Sequence, residues 1–252
     1  MKKINTILAA ASALLMLTVT SANSVEFKAG VSVNGMAAYA NAKETLKGDG
    51  DGTGGQTGRT TNAEALMATT FASVFAEVST DEAMGLGIGI SYAPEVIDLP
   101  KETRQVNQCN DQTGRRTGAA CTNKTGDSAD SGTQVIDGKV QDLLSIYLTM
   151  PISDTGAYVK AGYIQATMIT SENLATGSKY ENIDLTGTQV GAGYEGSIGD
   201  MAFWRAEGTY QMWDDISANG SESNATTTDT TKNKIEAELG SVSGSLSIGM
   251  RF

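Results

Sequence analysis

The last ten residues of the chain place apolar side chains on one face of an extended strand and small or charged side chains on the other. The apolar face carries Leu246, Ile248, Met250 and Phe252. The opposite face carries Ser245, Ser247, Gly249 and Arg251. Because successive side chains of a strand point to opposite sides, this alternation predicts a strand that separates two different media. We expect this strand, which ends on an aromatic residue, to be the last strand of the fold.

The N-terminal residues show the pattern of a secretory signal peptide. Two lysines precede an apolar run over residues 7–19, and small residues follow over 21–24. This run is shorter than the roughly 20 apolar residues that a transmembrane helix needs, which argues against an N-terminal anchor. The sequence therefore predicts a signal peptide over residues 1–24 and a single mature domain over residues 25–252.

Seven other segments alternate in the same way as the last one. The eight predicted strands are 27–39, 66–78, 84–92, 140–150, 157–167, 186–196, 201–213 and 235–252. In the last of them, the apolar side chains move from odd-numbered positions at Leu239 to even-numbered positions at Leu246. We expect a bulge near residues 240–244 to cause this change of face.

The connections between these segments alternate between short and long. Short polar turns are predicted at 80–82, 153–156 and 198–200, and long polar segments at 40–65, 93–139, 170–185 and 214–234. A soluble β-sandwich also alternates along its strands, but its long loops need not gather at one end. Short turns at one end and long loops at the other are typical of membrane barrels. The fold class predicted is therefore all-β, an eight-stranded antiparallel up-and-down transmembrane β-barrel with long external loops.

Aromatic residues on the lipid-facing parity fall near the strand ends. Those near the turns are Phe27, Tyr194, Trp204 and Phe252, and those near the loops are Tyr39, Tyr92, Tyr163 and Tyr210. Tyrosine is common in strands of all kinds. Two belts of rings with Val, Ile, Leu and Ala between them are nevertheless the pattern expected at the two membrane interfaces.

Three short motifs resemble one known group of proteins. They are the segments 157–163 (AYVKAGY), 191–195 (GAGYE) and 249–252 (GMRF). Together with the strand plan they resemble the small bacterial outer-membrane β-barrels, the OmpA/OmpX-like and opacity-type family. The resemblance implies an outer-membrane location among outer-membrane lipid and lipopolysaccharide, and recognition of the C-terminal strand by the outer-membrane assembly machinery. It also implies a surface role in which the loops meet an extracellular ligand. We expect no peptidoglycan-binding domain after the barrel, and that part of the OmpA-like role therefore does not carry over.

Charged residues on the inward parity nearly balance. The predicted lumen network is Lys28, Glu77, Lys160, Glu195, Arg205, Glu207 and Arg251. An eight-stranded barrel is just wide enough for side chains to fill, and opposite charges in so narrow a space favour paired networks. We therefore expect a plugged lumen in which Arg205 contacts Glu195 or Glu207. The glycine-rich inner faces of the third and sixth strands leave room for water, which keeps a narrow passive channel as the alternative.

Other functions are less well supported. The chain has no histidine, the usual base of barrel enzymes and the commonest transition-metal ligand, so we expect neither an enzyme nor a metal site or cofactor. A calcium-loop-like segment at 48–53 has Thr60 where the acidic ligand would stand. Without Lys2 and Lys3 the net charge falls from −11 to −13, which argues against a nucleic-acid partner.

The two cysteines, Cys109 and Cys121, lie in the second long loop of a chain that we expect to be exported. An oxidising compartment favours a disulfide between them, and closing so short a loop would contribute about 3 kcal/mol. Free or intermolecular thiols are the alternative.

Overall fold

The structure is a computed structural model that describes most of residues 25–252. The described residues are 25–46, 59–80, 85–98, 102–110, 116–117, 128–173, 180–223 and 232–252. The predicted signal peptide, residues 1–24, lies outside them. No helix in these ranges is long and apolar enough to cross a membrane.

The described residues form eleven strands and one short 3-10 helix at Ser153–Thr155. The strands are β1 (Val25–Leu46), β2 (Arg59–Thr80), β3 (Gly87–Asp98), β4 (Glu102–Asn110), β5 (Arg116–Thr117), β6 (Ser128–Pro151), β7 (Ala157–Asn173), β8 (Ile183–Ile198), β9 (Ala202–Trp213), β10 (Ile216–Ser223) and β11 (Lys232–Arg251).

Eight of these strands close into a ring. Each of β1, β2, β3, β6, β7, β8, β9 and β11 pairs antiparallel with the next, and β11 pairs back with β1. Two backbone hydrogen bonds between Phe27 and Phe252 (3.2 and 2.8 Å) fasten the first strand to the last residue. Closure removes the free strand edges in the turn half of the ring, whereas toward the loop end β2 and β3 pair with each other only as far as Val74 with Tyr92. The eight-stranded antiparallel barrel predicted from the sequence is confirmed.

The short turns and both ends of the described chain lie at the same end of the barrel. Between β6 and β7 the turn reverses at Gly156 (φ 83°), and between β8 and β9 it reverses at Gly199 (φ 66°). Glycine suits both positions because a positive φ strains residues that carry a Cβ atom. We call this the turn end, and the opposite end, where the long connections lie, the loop end.

The strands are longer than the alternation indicated. β1 and β2 stay paired as far as Leu46 and Arg59, and β4 pairs with the first half of β6. The predicted loop boundaries were therefore wrong, because strand residues lie within all four predicted loops: 40–65, 93–139, 170–185 and 214–234. Backbone pairing does not require an apolar outer face, so a hairpin continues after the hydrophobic alternation stops.

The bulge expected near residues 240–244 is absent. The register of β1 with β11 runs unbroken from the pair Lys28 and Arg251 to the pair Thr45 and Lys234. Leu239 packs against the inner core, whereas Leu246 is exposed on the outer face. The apolar parity changes because the lumen itself becomes apolar toward the loop end.

The outer face of the ring carries an apolar band that soluble monomers do not show. Leu66, Leu246 and Val33 are 80, 68 and 67% exposed. Further exposed members of the band are Val31, Val74, Leu148, Val190, Val242 and Ile248. An apolar surface of this extent requires an apolar surrounding. The barrel is a transmembrane one.

This topology predicts which positions are accessible outside an intact cell. In a protein with both cysteines replaced by serine, a cysteine at exposed Glu64, toward the loop end, should react with a membrane-impermeant maleimide. A cysteine at Thr80 or Asp200, at the turn end, should react only after the outer membrane is permeabilised. Labelling of Asp200→Cys in intact cells at the rate of Glu64→Cys would contradict the orientation.

Candidate functional site: the lumen

Every second residue of each strand points into the ring, so the lumen is built by eight inward-facing rows. From the turn end to the loop end, these rows form a charged layer, a polar layer and an apolar layer. The structure places all seven residues of the predicted network in the charged layer, where each takes part in at least one ion pair.

Arg205 on β9 is the centre of the charged layer. Its side chain is 5% exposed and donates to both oxygens of the Glu77 carboxylate, at 3.0 and 3.2 Å. It also donates to Oε2 of Glu195 from Nη2 at 2.7 Å and from Nε at 3.3 Å. Glu195 lies on the adjacent β8, but Glu77 lies on β2, three strands away around the ring. One guanidinium therefore joins carboxylates from both sides of the lumen.

Glu195 gathers two further cations at the turn end. Lys28 Nζ lies 2.9 Å and Arg251 Nη2 lies 3.2 Å from its Oε1 atom. Glu26 lies at the rim, with a carboxylate oxygen 3.2 Å from Lys28 Nζ. Each buried charge in this cluster thus faces the opposite sign, which offsets the cost of removing it from water.

Lys160 and Glu207 form the second ion pair of the layer, at 2.7 Å. The Tyr158 hydroxyl donates to the same carboxylate at 2.7 Å. Of the two alternative partners expected for Arg205, Glu195 makes the contact, whereas Glu207 pairs with Lys160 of β7. Glu195 is the neighbouring-strand partner, directly opposite Arg205 in the β8–β9 register.

Four buried aromatic side chains, none of them anticipated as site residues, fill the space around Arg205. Its Cζ atom lies 5.0 Å from the ring centre of Tyr158, 5.3 Å from that of Phe75 and 5.6 Å from that of Phe203. Lys160 Nζ lies 3.9 Å from the ring centre of Tyr147. Cations over aromatic faces are attracted by the ring quadrupole, and more strongly when both are desolvated.

Each of these rings lies over a glycine of a neighbouring strand. The register pairs are Phe75 with Gly30, Tyr147 with Gly89, Tyr158 with Gly193, and Phe203 with Gly249. A Cβ atom at any of the four glycines would overlap the paired ring. Gly89 of the third strand and Gly193 of the sixth therefore lie against aromatic rings and not beside water-filled space, whereas Gly87 and Gly191 lie against Thr149 and Thr209. A glycine opposite an inward aromatic residue was the sequence signal for this plug.

The polar layer consists of hydrogen-bonded pairs that also cross between strands. Ser32 and Ser247 share a hydrogen bond of 2.8 Å, and the Gln189 amide donates to Ser145 Oγ at 2.5 Å. A cavity of about 50 Å³ remains among these side chains. On the turn side of the charged layer, a wider cavity of about 320 Å³ ends against Arg205, Glu77 and Tyr158.

The apolar layer fills the loop half of the lumen and encloses a third cavity of about 210 Å³. Its buried core residues are Met36, Ala93, Val96, Ile97, Leu143, Ile164, Ala166, Leu185 and Ile216. Five of these nine belong to segments that we had interpreted as polar loops, at residues 93, 96, 97, 185 and 216. The alternation marks this layer poorly because its inward side chains are apolar like the outward ones, and the change of apolar face at Leu239 is the trace that it leaves in the sequence.

The eight predicted interface aromatics lie on the outer parity of the barrel. Near the turn end they form two ring pairs, Phe27 with Phe252 at 6.0 Å and Tyr194 with Trp204 at 5.7 Å. Near the loop end, the Tyr92 hydroxyl donates to Asp142 at 2.5 Å, where β6 has a register shift. Tyr39, Tyr163 and Tyr210 are exposed on the outer face.

Cys121 and the side chain of Cys109 lie outside the described residues, so the disulfide stays a prediction. Over the described part of the chain, no group of three or more His, Cys, Asp or Glu side chains is placed to hold a metal ion.

Comparisons with known proteins find loose structural likeness. No protein-family model and no curated protein matches the chain. OprG, an outer membrane protein of Pseudomonas aeruginosa, has a TM-score of 0.47 at 13% identity, over 92% of this chain and 98% of its own. Ail, the attachment invasion locus protein of Yersinia pestis, has a TM-score of 0.34 at 12% identity, over 89% of this chain and 98% of its own. This likeness carries no functional argument, and the strand pairing of the chain itself establishes the fold.

The pairing of rings with glycines predicts a specific destabilisation. Gly89→Ala should lower the free energy of unfolding by about 1–3 kcal/mol, because its methyl group would force the Tyr147 ring out of place. Tyr147→Ala, added to Gly89→Ala, should cost less than the two single changes together. Urea unfolding in phospholipid vesicles measures both quantities.

Gly208→Ala is the matched control. Gly208 also lies within a strand, but a Cβ atom there would contact nothing within 4 Å. We expect this change to be neutral. Equal destabilisation by Gly89→Ala and Gly208→Ala would show that the loss comes from glycine replacement in general and not from the ring.

Proposed function

We propose that the protein is an outer-membrane barrel with a structural or surface-interaction role, whose lumen is plugged and does not conduct. The observation that carries this proposal is the contact of Arg205 with Glu77 and Glu195 from opposite sides of the lumen. No single-sign ring of charge is available to select an ion, because every cation in the layer faces a carboxylate.

The plug combines charge and apolar packing at one level of the barrel. An ion that crossed this level would have to separate Arg205 from both carboxylates and displace Tyr158 from Glu207. Breaking a buried ion pair from one side costs about 3–5 kcal/mol. A barrier of this size within the lumen favours a barrel that stays closed to ions.

The outer surface supports the proposed location and partners. The apolar band fits outer-membrane lipid, with lipopolysaccharide in the external leaflet, and export would depend on the predicted signal peptide at residues 1–24. The exposed alternation from Leu246 to Phe252 fits recognition by the outer-membrane assembly machinery. The long connections at the loop end are where an extracellular ligand would bind. We also propose that the protein is related to the OmpA/OmpX-like and opacity-type outer-membrane barrels.

A narrow passive channel for ions or small solutes is the second candidate. The three cavities, of about 320, 50 and 210 Å³, follow one another along the barrel axis. If the side chains between them moved, they would join into a path. The charged layer is the barrier between the first cavity and the second.

Conductance in planar bilayers separates the two candidates. We expect the wild-type protein to show no steady conductance, and Arg205→Ala to raise the conductance by opening space and leaving Glu77 without its main partner. Lys234→Ala is the matched control, because it removes the partly exposed pair with Glu236 at the loop end. Heat-modified mobility on gels checks that each variant is folded.

A folded wild-type barrel that conducts steadily, with Arg205→Ala changing only the ion selectivity, would overturn the plugged lumen and establish the channel.

A further inference from the structure

The apolar cavity in the loop half of the lumen has the features of a binding site. It measures about 210 Å³, and its lining surface is almost entirely apolar. The side chains that define it include Met36, Met67, Leu143, Met168 and Trp213.

The polar groups near this cavity are already satisfied. Trp213 Nε1 donates to Ser241 Oγ at 3.2 Å, and Ser241 donates to Gln211 at 2.5 Å. A water molecule in the cavity would find few hydrogen-bond partners, and apolar cavities of about 150 Å³ are known to stay dry and to bind benzene. Three methionines in the wall can adjust to the shape of an occupant.

We propose that this chamber binds a small, uncharged, apolar molecule of about the size of an alkylbenzene. The molecule enters from the loop end and goes no further, because the polar layer and the Arg205 layer lie below it. The chamber is thus a binding site and not a section of a channel. This assignment is independent of the proposed surface role, since it depends on the loop half of the lumen alone.

A membrane acyl chain has the same chemistry and is the other source of an occupant. β1 lies on the wall of the chamber, and its pairing is unbroken as far as Leu46 with β2 and Thr45 with β11. The wall differs between β2 and β3, which pair with each other only as far as Val74 with Tyr92. Beyond that pair, the Thr69 hydroxyl donates to the Val96 carbonyl oxygen at 3.0 Å. An acyl chain entering from the membrane would have to pass between these two strands and break this hydrogen bond, which favours a free molecule.

The two tryptophans of the chain provide the measurement. Trp213 lines the chamber, whereas Trp204 lies on the outer face beside Tyr194. Trp204→Phe leaves Trp213 as the reporter, and Trp213→Phe leaves Trp204. With bromobenzene as the probe and protein in unbrominated phosphatidylcholine vesicles, we expect saturable quenching of Trp213 and linear quenching of Trp204.

Filling the chamber tests the site directly. In the Trp204→Phe background, Ala38→Phe places a ring in the chamber and should weaken the apparent affinity for bromobenzene at least tenfold. Ala37→Phe, on the outer face of the same strand, should leave it unchanged. Linear quenching of Trp213 equal to that of Trp204, in proteins shown by gel mobility to be folded, would overturn the proposal.

Vesicles of chain-brominated phosphatidylcholine, without bromobenzene, distinguish the two sources. We expect these vesicles to quench the fluorescence of Trp204 and to leave the fluorescence of Trp213 unchanged. Strong quenching of Trp213 by these lipids would show that an acyl chain occupies the chamber, which would overturn the assignment to a free molecule.

Discussion

The contact of Arg205 with Glu77 is the interaction on which the rest of the lumen depends. The two residues lie on strands three apart around the ring, so their bidentate pair, at 3.0 and 3.2 Å, connects strands that share no backbone hydrogen bonds. Both side chains are buried, so a charge that lost its partner would be costly, which makes the pair hard to open from either side. Lys28, Arg251 and Glu195 extend this constraint toward the turn end.

The aromatic rings make this ion pair possible by filling the space around it. A ring at each of Phe75, Tyr158 and Phe203 encloses the guanidinium, and each ring needs a glycine beside it on the neighbouring strand. The packing and the electrostatics of the layer are thus linked: a methyl group on one glycine would disturb the walls of a charge site. The strand register, fixed by ring closure, is what brings rings and glycines together.

The sequence was sufficient for the fold because two independent patterns agreed. The alternation of apolar and polar side chains, as around Leu246, Ile248 and Met250, identified the strands. Short turns such as residues 198–200 indicated which strands are neighbours. What it could not supply were contacts across the lumen. The pairing of Glu77 with Arg205 depends on strands far apart in the chain. Five of the nine core residues of the apolar layer, among them Val96 and Leu185, lie in segments predicted to be polar loops because the alternation ends before them. The parity change at Leu239 recorded that layer, although a bulge seemed the simpler explanation.

A double-mutant cycle on Glu77 and Arg205 tests the central interaction most directly. The free energy of unfolding in vesicles is measured for the wild type, Glu77→Ala, Arg205→Ala and the double variant, with Lys234 and Glu236 as a control cycle. We expect a coupling energy of about 2–3 kcal/mol for the buried pair and less than about 0.5 kcal/mol for the partly exposed one. Additive effects of Glu77→Ala and Arg205→Ala would contradict the account, because they would show that the pair does not hold the lumen closed.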